Sequence, residues 1–257
     1  MIEDIYKKSK VQLKIIPTRH DLINGRWYES EKQFRPSVTT FLHVIDKGIG
    51  FMKWLGNSTS YDSAMEYSNK RAELGSNFHT MVANMIFGES IETDDLEVEE
   101  IKRLQEFVQF WGKAKPTPIA TEYPMWHKDV LWAGTADLIC DITNKKGKIE
   151  RWLLDWKTGQ IWSSYKYQIS AYKYLAEKCF GFKIDRVALV QFKGSHRKTC
   201  NVEDEPKYLF KEQKVLPLKT IQSVYDLWIL ENGYPKPKFP TVYPKQIKIG
   251  EENEIIT

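Results

Sequence analysis

Cysteine is scarce in this chain of 257 residues, which has only Cys140, Cys179 and Cys200, far apart in the sequence. That spacing supports neither a disulfide framework nor a Cys-x-x-Cys metal site. No stretch approaches the roughly 20 uninterrupted apolar residues that cross a bilayer. The N-terminus carries acids where a secretory or transit peptide carries bases. We therefore expect a soluble, cytoplasmic protein with reduced thiols and no membrane contact.

Net charge is also small, since 38 Lys and Arg face 34 Asp and Glu, which gives +4. The balance hides an asymmetry, because residues 89–106 contain eight acids and two bases and sum to −6, which leaves +10 elsewhere. The rest of the protein, with its excess of basic residues, could attract a polyanion such as a nucleic acid. A simpler explanation of the acidic segment is a solvated helix start on an ordinary protein surface. The 34 aromatic residues, nine of them Trp, suit nucleobases as well as a core.

Periodicity predicts one α/β domain with a mostly helical N-terminal part and a central mixed sheet flanked by helices. We divide the chain into an N-terminal arm or hairpin (1–35), a helical part (36–115), a sheet core (116–235) and a tail (236–257). Ser37 is placed to cap a short helix. Longer helices are expected at 62–87, 94–111, 163–180 and 216–230, and strands at 119–126, 131–142, 150–156, 186–192 and 208–211.

The strongest local signal is an apolar strand that ends in Asp155-Trp156-Lys157. Strand side chains alternate, so the Asp155 carboxylate and the Lys157 ammonium point to the same side. Each buried charge needs a counter-charge or a metal. A structural ion pair explains this triplet by itself, and for the triplet alone we prefer that interpretation.

A second acidic residue favours a metal site over a simple ion pair. Asp137 lies inside another apolar strand, and the turn at 144–147 would bring that strand antiparallel to the one that carries Asp155. Two carboxylates could then bind one Mg²⁺, which prefers oxygen ligands. Asp141 has the same strand parity and could compete, but Gly134 and Thr135 leave space for a ligand beside Asp137.

With these motifs the chain resembles the PD-(D/E)XK nuclease superfamily, and within it the RecB-like exonucleases, a group that includes the mitochondrial genome maintenance exonuclease and phage exonucleases. The resemblance runs from about residue 36 to residue 172, and the ordered motifs are stronger together than any one alone. They are Pro36-Ser37-Val38-Thr39-Thr40, Gly75-x-x-x-His79, Gly134-x-x-Asp137, Asp155-Trp156-Lys157-Thr158-Gly159 and Gln168-x-x-x-Tyr172. The Pro of the superfamily's name is absent here, where the acid motif is Thr-Ala-Asp.

The resemblance implies a restriction-endonuclease-like core and a role for each matching residue. His79, Asp137, Asp155 and the backbone carbonyl of Trp156 would bind the metal, with Lys157 as the catalytic lysine beside the catalytic acids Asp137 and Asp155. Gln168 and Tyr172 would hold the substrate, although a helix that merely packs on the sheet explains them equally well. By itself His79 is more typical of a hydrogen-bonded core histidine, while Gly75 one turn earlier leaves room for a strand end to approach. Glu122 supports the site or lies on the surface.

The implied activity is Mg²⁺-dependent hydrolysis of DNA by an exonuclease, with Mn²⁺ as a substitute and single-stranded DNA preferred. Trp54, Tyr61 and Tyr67 are candidates for stacking on bases, or for the core. Some relatives hold an iron–sulfur cluster with four cysteines, which three thiols cannot do. The resemblance also suggests a role in recombination, repair or replication, with proteins of those pathways as partners, in a bacterial cell or a phage-infected host.

Three other functions stay open. A structure-specific endonuclease would use the same metal site, and a non-catalytic nucleic-acid-binding module would need only the basic surface. A glycoside hydrolase would use Asp137 and Asp155 as an acid pair. We expect Lys157 to hold the pKa of Asp155 down, which suits a metal ligand better than a general acid.

Overall fold

A small antiparallel sheet begins the fold in the computed structural model, which describes residues 2–45, 49–194 and 207–241. Its strands are β1 (Thr18–Leu22), β2 (Gly25–Ser30) and β3 (Gln33–Pro36), in that order, after a 3-10 helix at Ile2–Lys8. The predicted arm or hairpin is therefore a three-stranded sheet. Cys200 and residues 242–257 of the predicted tail lie outside the described residues.

The described residues form six α-helices, of which five correspond to expected helices and one, at Ile49–Gly56, was not predicted. Ser37 caps the first helix by accepting a hydrogen bond from the Thr40 amide, as predicted. The long helix ends before Gly88, whose φ of +86° favours glycine. The helices are α1 (Val38–Phe41), α2 (Ile49–Gly56), α3 (Tyr61–Ile86), α4 (Val98–Ala114), α5 (Tyr165–Phe180) and α6 (Leu218–Glu231).

A five-stranded mixed sheet forms the centre, with strands in the order β4-β5-β6-β7-β8. Helix α5 makes the crossover between the parallel pair β6 and β7, and the other neighbours are antiparallel. The α/β architecture with a central mixed sheet, flanking helices and a helical N-terminal part is confirmed. The strands are β4 (Thr117–Met125), β5 (Gly134–Thr143), β6 (Ile149–Lys157), β7 (Arg186–Phe192) and β8 (Tyr208–Glu212).

Each face of the central sheet has its own hydrophobic core. Leu138, Leu154 and Val190 pack with the buried side chains of α3 and α4. Ile139, Leu153 and Leu189 pack with those of α1, α5 and α6. Successive residues on one strand thus pack in the cores on opposite faces of the sheet. Both faces of these strands are therefore apolar, which explains their continuous runs of apolar residues. None of the helices in the described ranges is long and apolar enough to cross a bilayer.

The acidic segment is less solvated than its charge suggested. Glu99 binds both Arg71 of α3 and Arg103 of α4, and Glu106 accepts a hydrogen bond from the Gly194 amide. Glu106 is 4% exposed, and burial raises its pKa to about 7 despite the backbone hydrogen bonds that it accepts. Part of the acidic charge is therefore used to fix α4 against α3 and the end of β7.

Candidate active site

Strands β5 and β6 separate at the two predicted acids. Their pairing runs from Thr143–Ile149 to Leu138–Leu154. Beyond it, residues 134–136 pair with β4, whereas residues 155–157 pair with β7. The Asp137 carboxylate lies in the gap, where its Oδ2 accepts a 2.7 Å hydrogen bond from the Trp156 amide. The split brings Asp137, Asp155 and Lys157 to one cleft.

Helix α3 brings His79 to this cleft. Its Nδ1 lies 3.1 Å from Glu122 Oε1 and 3.5 Å from Asp137 Oδ1. One ligand atom from each of these three residues lies within 4.8 Å of the others. Burial alone would lower the pKa of His79, but the charges of Asp137 and Glu122 outweigh it and raise the pKa to about 9. The Nδ1 edge of the imidazole thus faces two carboxylates, and 26% of the side chain is exposed, so the histidine is not simply a core residue.

Glu122 is a full member of this cluster. It lies between Thr121 and Tyr123, whose partners are Leu138 and Ala136, so it comes opposite Asp137. The residue is 7% exposed and has a φ of +43°, a left-handed conformation that costs free energy for a residue with a Cβ. The interpretation of Glu122 as a surface residue is wrong. Its only sequence signal was a lone acid within the strand at 119–126.

Asp155 and Lys157 form an ion pair, with Oδ2 and Nζ 2.5 Å apart. Apart from this ion pair, the buried Oδ2 has no hydrogen-bond partner among the described residues. Gln168 donates from Nε2 to Asp155 Oδ1 at 3.2 Å and accepts from Lys157 Nζ at 3.4 Å. The amide predicted to hold substrate therefore bridges the acid and the lysine.

The pKa of Asp155 is raised rather than lowered. Burial is the largest cause and outweighs the charge of Lys157, so the pKa reaches about 6. Lys157 lowers this pKa as expected, but its charge does not offset the burial of a side chain that is only 3% exposed, so the expected net lowering is wrong. Burial also raises the pKa of Asp137, against the charge of His79. The positive charges of Lys157 and His79 therefore do not fully offset the burial of these two carboxylates.

Tyr172 fills the space that we expected a ligand to use. A methyl group at Gly134 would overlap with the Tyr172 ring, so the glycine accommodates the tyrosine rather than a ligand. The tyrosine is 6% exposed, which leaves little of it for a substrate. Gly75 behaves as predicted, because a methyl there would lie 3.3 Å from Thr158 Oγ1, just after the end of β6.

Asp141, the competing acid, lies outside the cleft. Both of its carboxylate oxygens accept hydrogen bonds from Arg151, at 2.9 and 3.1 Å. Trp156 contributes its amide to the site through Asp137, whereas the role expected for its carbonyl stays a prediction.

The donors fit a hard divalent cation. The cleft contains three carboxylates and two groups that can be cationic, so its net charge is −1 when all five are ionised. These are Glu122, Asp137 and Asp155, with His79 and Lys157. Carboxylate oxygens with one imidazole nitrogen suit Mg²⁺ or Mn²⁺ better than a thiophilic metal. His79, Glu122 and Asp137 are the residues whose ligand atoms lie close enough together to hold such an ion, whereas Asp155 faces Lys157 and Gln168.

Neither a family profile nor a curated protein matches this chain. Among solved structures, the chain is similar to an alkaline exonuclease from Laribacter hongkongensis, with 8% sequence identity and a TM-score of 0.37. The similarity covers 77% of this chain and 87% of that chain. Function is therefore inferred from the site itself.

Proposed function

We propose that this protein is a metal-dependent nuclease that hydrolyses phosphodiester bonds in DNA. The observation that carries the proposal is the split between β5 and β6, where His79, Glu122 and Asp137 converge beside the Asp155–Lys157 pair. An isolated ion pair would explain two of these residues. It does not explain a buried cluster with a surplus of carboxylates, which costs free energy unless a cation is bound.

His79, Glu122 and Asp137 would hold the cation, with Asp155 and the Trp156 carbonyl as further ligands implied by the resemblance. A bound Mg²⁺ or Mn²⁺ supplies Lewis-acid polarisation of the phosphate and lowers the pKa of a coordinated water. Asp137 is itself held by the Trp156 amide, and this hydrogen bond fixes one carboxylate oxygen while the other faces His79. The ligands are therefore oriented before a cation arrives.

Lys157 would orient the attacking water and stabilise the negative charge that develops on the phosphate. Asp155 and Gln168 hold its ammonium on two sides. The charge of Asp155 outweighs burial and raises the pKa of Lys157, so the residue acts as a cation rather than as a general base at neutral pH.

Single-stranded DNA is the substrate that we propose, attacked from an end. Tyr61 and Tyr67 at the start of α3 are 66% and 56% exposed, and the Tyr67 ring lies 6.4 Å from that of Trp54. Exposed rings of this kind stack on unpaired bases. Both tyrosines lie on α3, the helix that carries His79. At a rise of 1.5 Å per residue, Tyr67 is about 18 Å from His79 along this helix. A strand of a few nucleotides would span that distance. Recombination, repair or replication is the setting that the resemblance suggests.

The test uses the full-length protein with end-labelled single-stranded and double-stranded DNA, in Mg²⁺, Mn²⁺ or EDTA. We expect cleavage that requires metal, and losses of at least about 100-fold in Asp137→Asn and Lys157→Met. Asp141→Asn is the matched control, since it removes a carboxylate from the same strand outside the cleft. Cleavage in EDTA, or full activity in both variants, would contradict the proposal.

The remaining functions are outcomes of the same experiment. Degradation of a circular single strand would point to an endonuclease, because a circle has no end. Metal-independent DNA binding without cleavage would point to a non-catalytic binding module. A glycoside hydrolase is disfavoured, since Asp155 is 2% exposed and engaged by Lys157 and Gln168.

A further inference from the structure

The ammonium group of Lys157 has a third neighbour that none of the sequence motifs contains. Its Nζ lies 4.3 Å from the centroid of the Tyr165 ring. With Asp155 Oδ2 at 2.5 Å and Gln168 Oε1 at 3.4 Å, the ring completes a set of three contacts around one cation. The distance is well inside the range of about 6 Å over which a ring attracts an ammonium.

Tyr165 and Gln168 reach the lysine from the first turn of α5. They are three residues apart, which puts both side chains on one face of the helix. The turn before them is closed by a 3.2 Å hydrogen bond from the Tyr165 amide to the Trp162 carbonyl. The backbone that presents the ring is therefore part of the helix start, whose packing on the sheet also buries Gln168.

We propose that Tyr165 is a positioning residue for Lys157, with the ring face holding the ammonium where the proposed hydrolysis needs it. The inference rests on the proposed function and deepens it. A lysine side chain has four rotatable bonds and binds as a point charge, so its position depends on its neighbours. Asp155 and Gln168 contact the ammonium through oxygen atoms, whereas Tyr165 contacts it through its ring face.

In this proposal the aromatic ring of Tyr165 positions the Lys157 ammonium, and the hydroxyl has no role. The hydroxyl stays protonated, because burial raises the pKa of Tyr165 although the charge of Lys157 opposes this. A phenylalanine keeps the ring face, and a leucine removes it and leaves a smaller apolar side chain. The phenylalanine therefore separates the ring from the hydroxyl, and the signal of the Lys157 side chain separates the cation–ring contact from the loss of packing.

The kinetic test compares Tyr165→Phe and Tyr165→Leu in the full chain with Mg²⁺ and single-stranded DNA. We expect the phenylalanine variant to keep kcat within a factor of about two, and the leucine variant to lose about 10-fold in kcat. KM and the unfolding temperature should change little in both. Tyr167→Leu is the control, since its ring lies 5.3 Å from Lys166 Nζ and makes a similar contact outside the cleft.

A second measurement does not depend on nuclease activity. In protein labelled with ¹³C at the lysine ε-carbon, the ring current of Tyr165 should shift the Lys157 ε-methylene signal, which Lys157→Met assigns. We expect the shift in the unmodified protein and in Tyr165→Phe, and its loss in Tyr165→Leu.

Two results would overturn the inference. One is wild-type kcat in Tyr165→Leu, or an equal loss in Tyr165→Phe. The other is a Lys157 signal that does not respond to removal of the ring. Failure of the proposed function looks different, because no variant would then cleave DNA while the ring-current shift would still be present.

Discussion

Neutralising Asp155 should stabilise the metal-free protein while it abolishes activity. The carboxylate is buried, its Oδ2 has no partner among the described residues beyond the Lys157 ammonium, and burial outweighs the charge of Lys157 and raises the pKa from 3.8 to about 6. A raised pKa means that the folded protein holds this proton more tightly than the unfolded chain does. The associated stability is complete below about pH 4 and is lost as the pH rises through about 6.

The size of the effect follows from that pKa. A change from 3.8 to about 6 corresponds to about 3 kcal/mol of unfolding free energy. The ionised acid therefore destabilises the fold by about that amount at about pH 8, and Asp155→Asn removes the charge at constant volume. In urea, with a slope of about 3 kcal/mol per molar, the unfolding midpoint in EDTA should rise by about 1 M.

Two comparisons make the assay decisive. The gain should shrink toward zero at about pH 4, where Asp155 is protonated in the folded wild type. Asp141→Asn should show no gain at either pH, because its carboxylate is paired with Arg151. An Asp155→Asn protein that is less stable than wild type at about pH 8 would refute the reasoning from burial.

Three further predictions concern the same cleft. Glu122→Gln should bring the pKa of His79 down from about 9 toward 6.5, which an NMR titration of the imidazole protons in EDTA measures. Mg²⁺ should raise the unfolding temperature by an amount that grows from about pH 5 to about pH 9, because Asp137, with a pKa of about 6, and then His79, with a pKa of about 9, must lose their protons to bind it. An increment that stays constant with pH would count against metal binding at this cluster. Gly134→Ala should cost about 1–3 kcal/mol in urea unfolding, because the methyl overlaps with the Tyr172 ring, and Tyr172→Leu should recover part of the loss.

Most elements of the central sheet and the longer helices were accessible from periodicity, whereas α2 and the three separate strands of the first sheet were not predicted. The strand at 186–192 has the predicted bounds, β4 to β6 differ by one to three residues at each end, and β8 starts as predicted and ends one residue later. The start of α4 was placed four residues early, because the acids at 94–95 suggested a helix start. The helix begins instead after Glu97, where Glu97 and Glu100 form a capping box.

The site was accessible only in part. Strand alternation put Asp155 and Lys157 on one side, and the turn at 144–147 paired β5 with β6 as expected. Glu122 was underrated because its left-handed backbone brings it into the cluster, and no local pattern marks that conformation. The space beside Asp137 was misjudged because Tyr172 comes from a helix more than 30 residues later in the chain.

Periodicity in the sequence was enough to predict which residues alternate on each strand of the central sheet, that the four longer helices exist, and which acids fall inside apolar strands. Short-range periodicity carries that information, because it depends on neighbours within a few residues. The tertiary structure decided where β5 and β6 separate, and that His79 and Glu122 meet Asp137 in the gap. It also decided that Tyr165 covers Lys157. Those contacts join segments tens of residues apart, and only the packing of α3 and α5 on the two faces of the sheet brings them together.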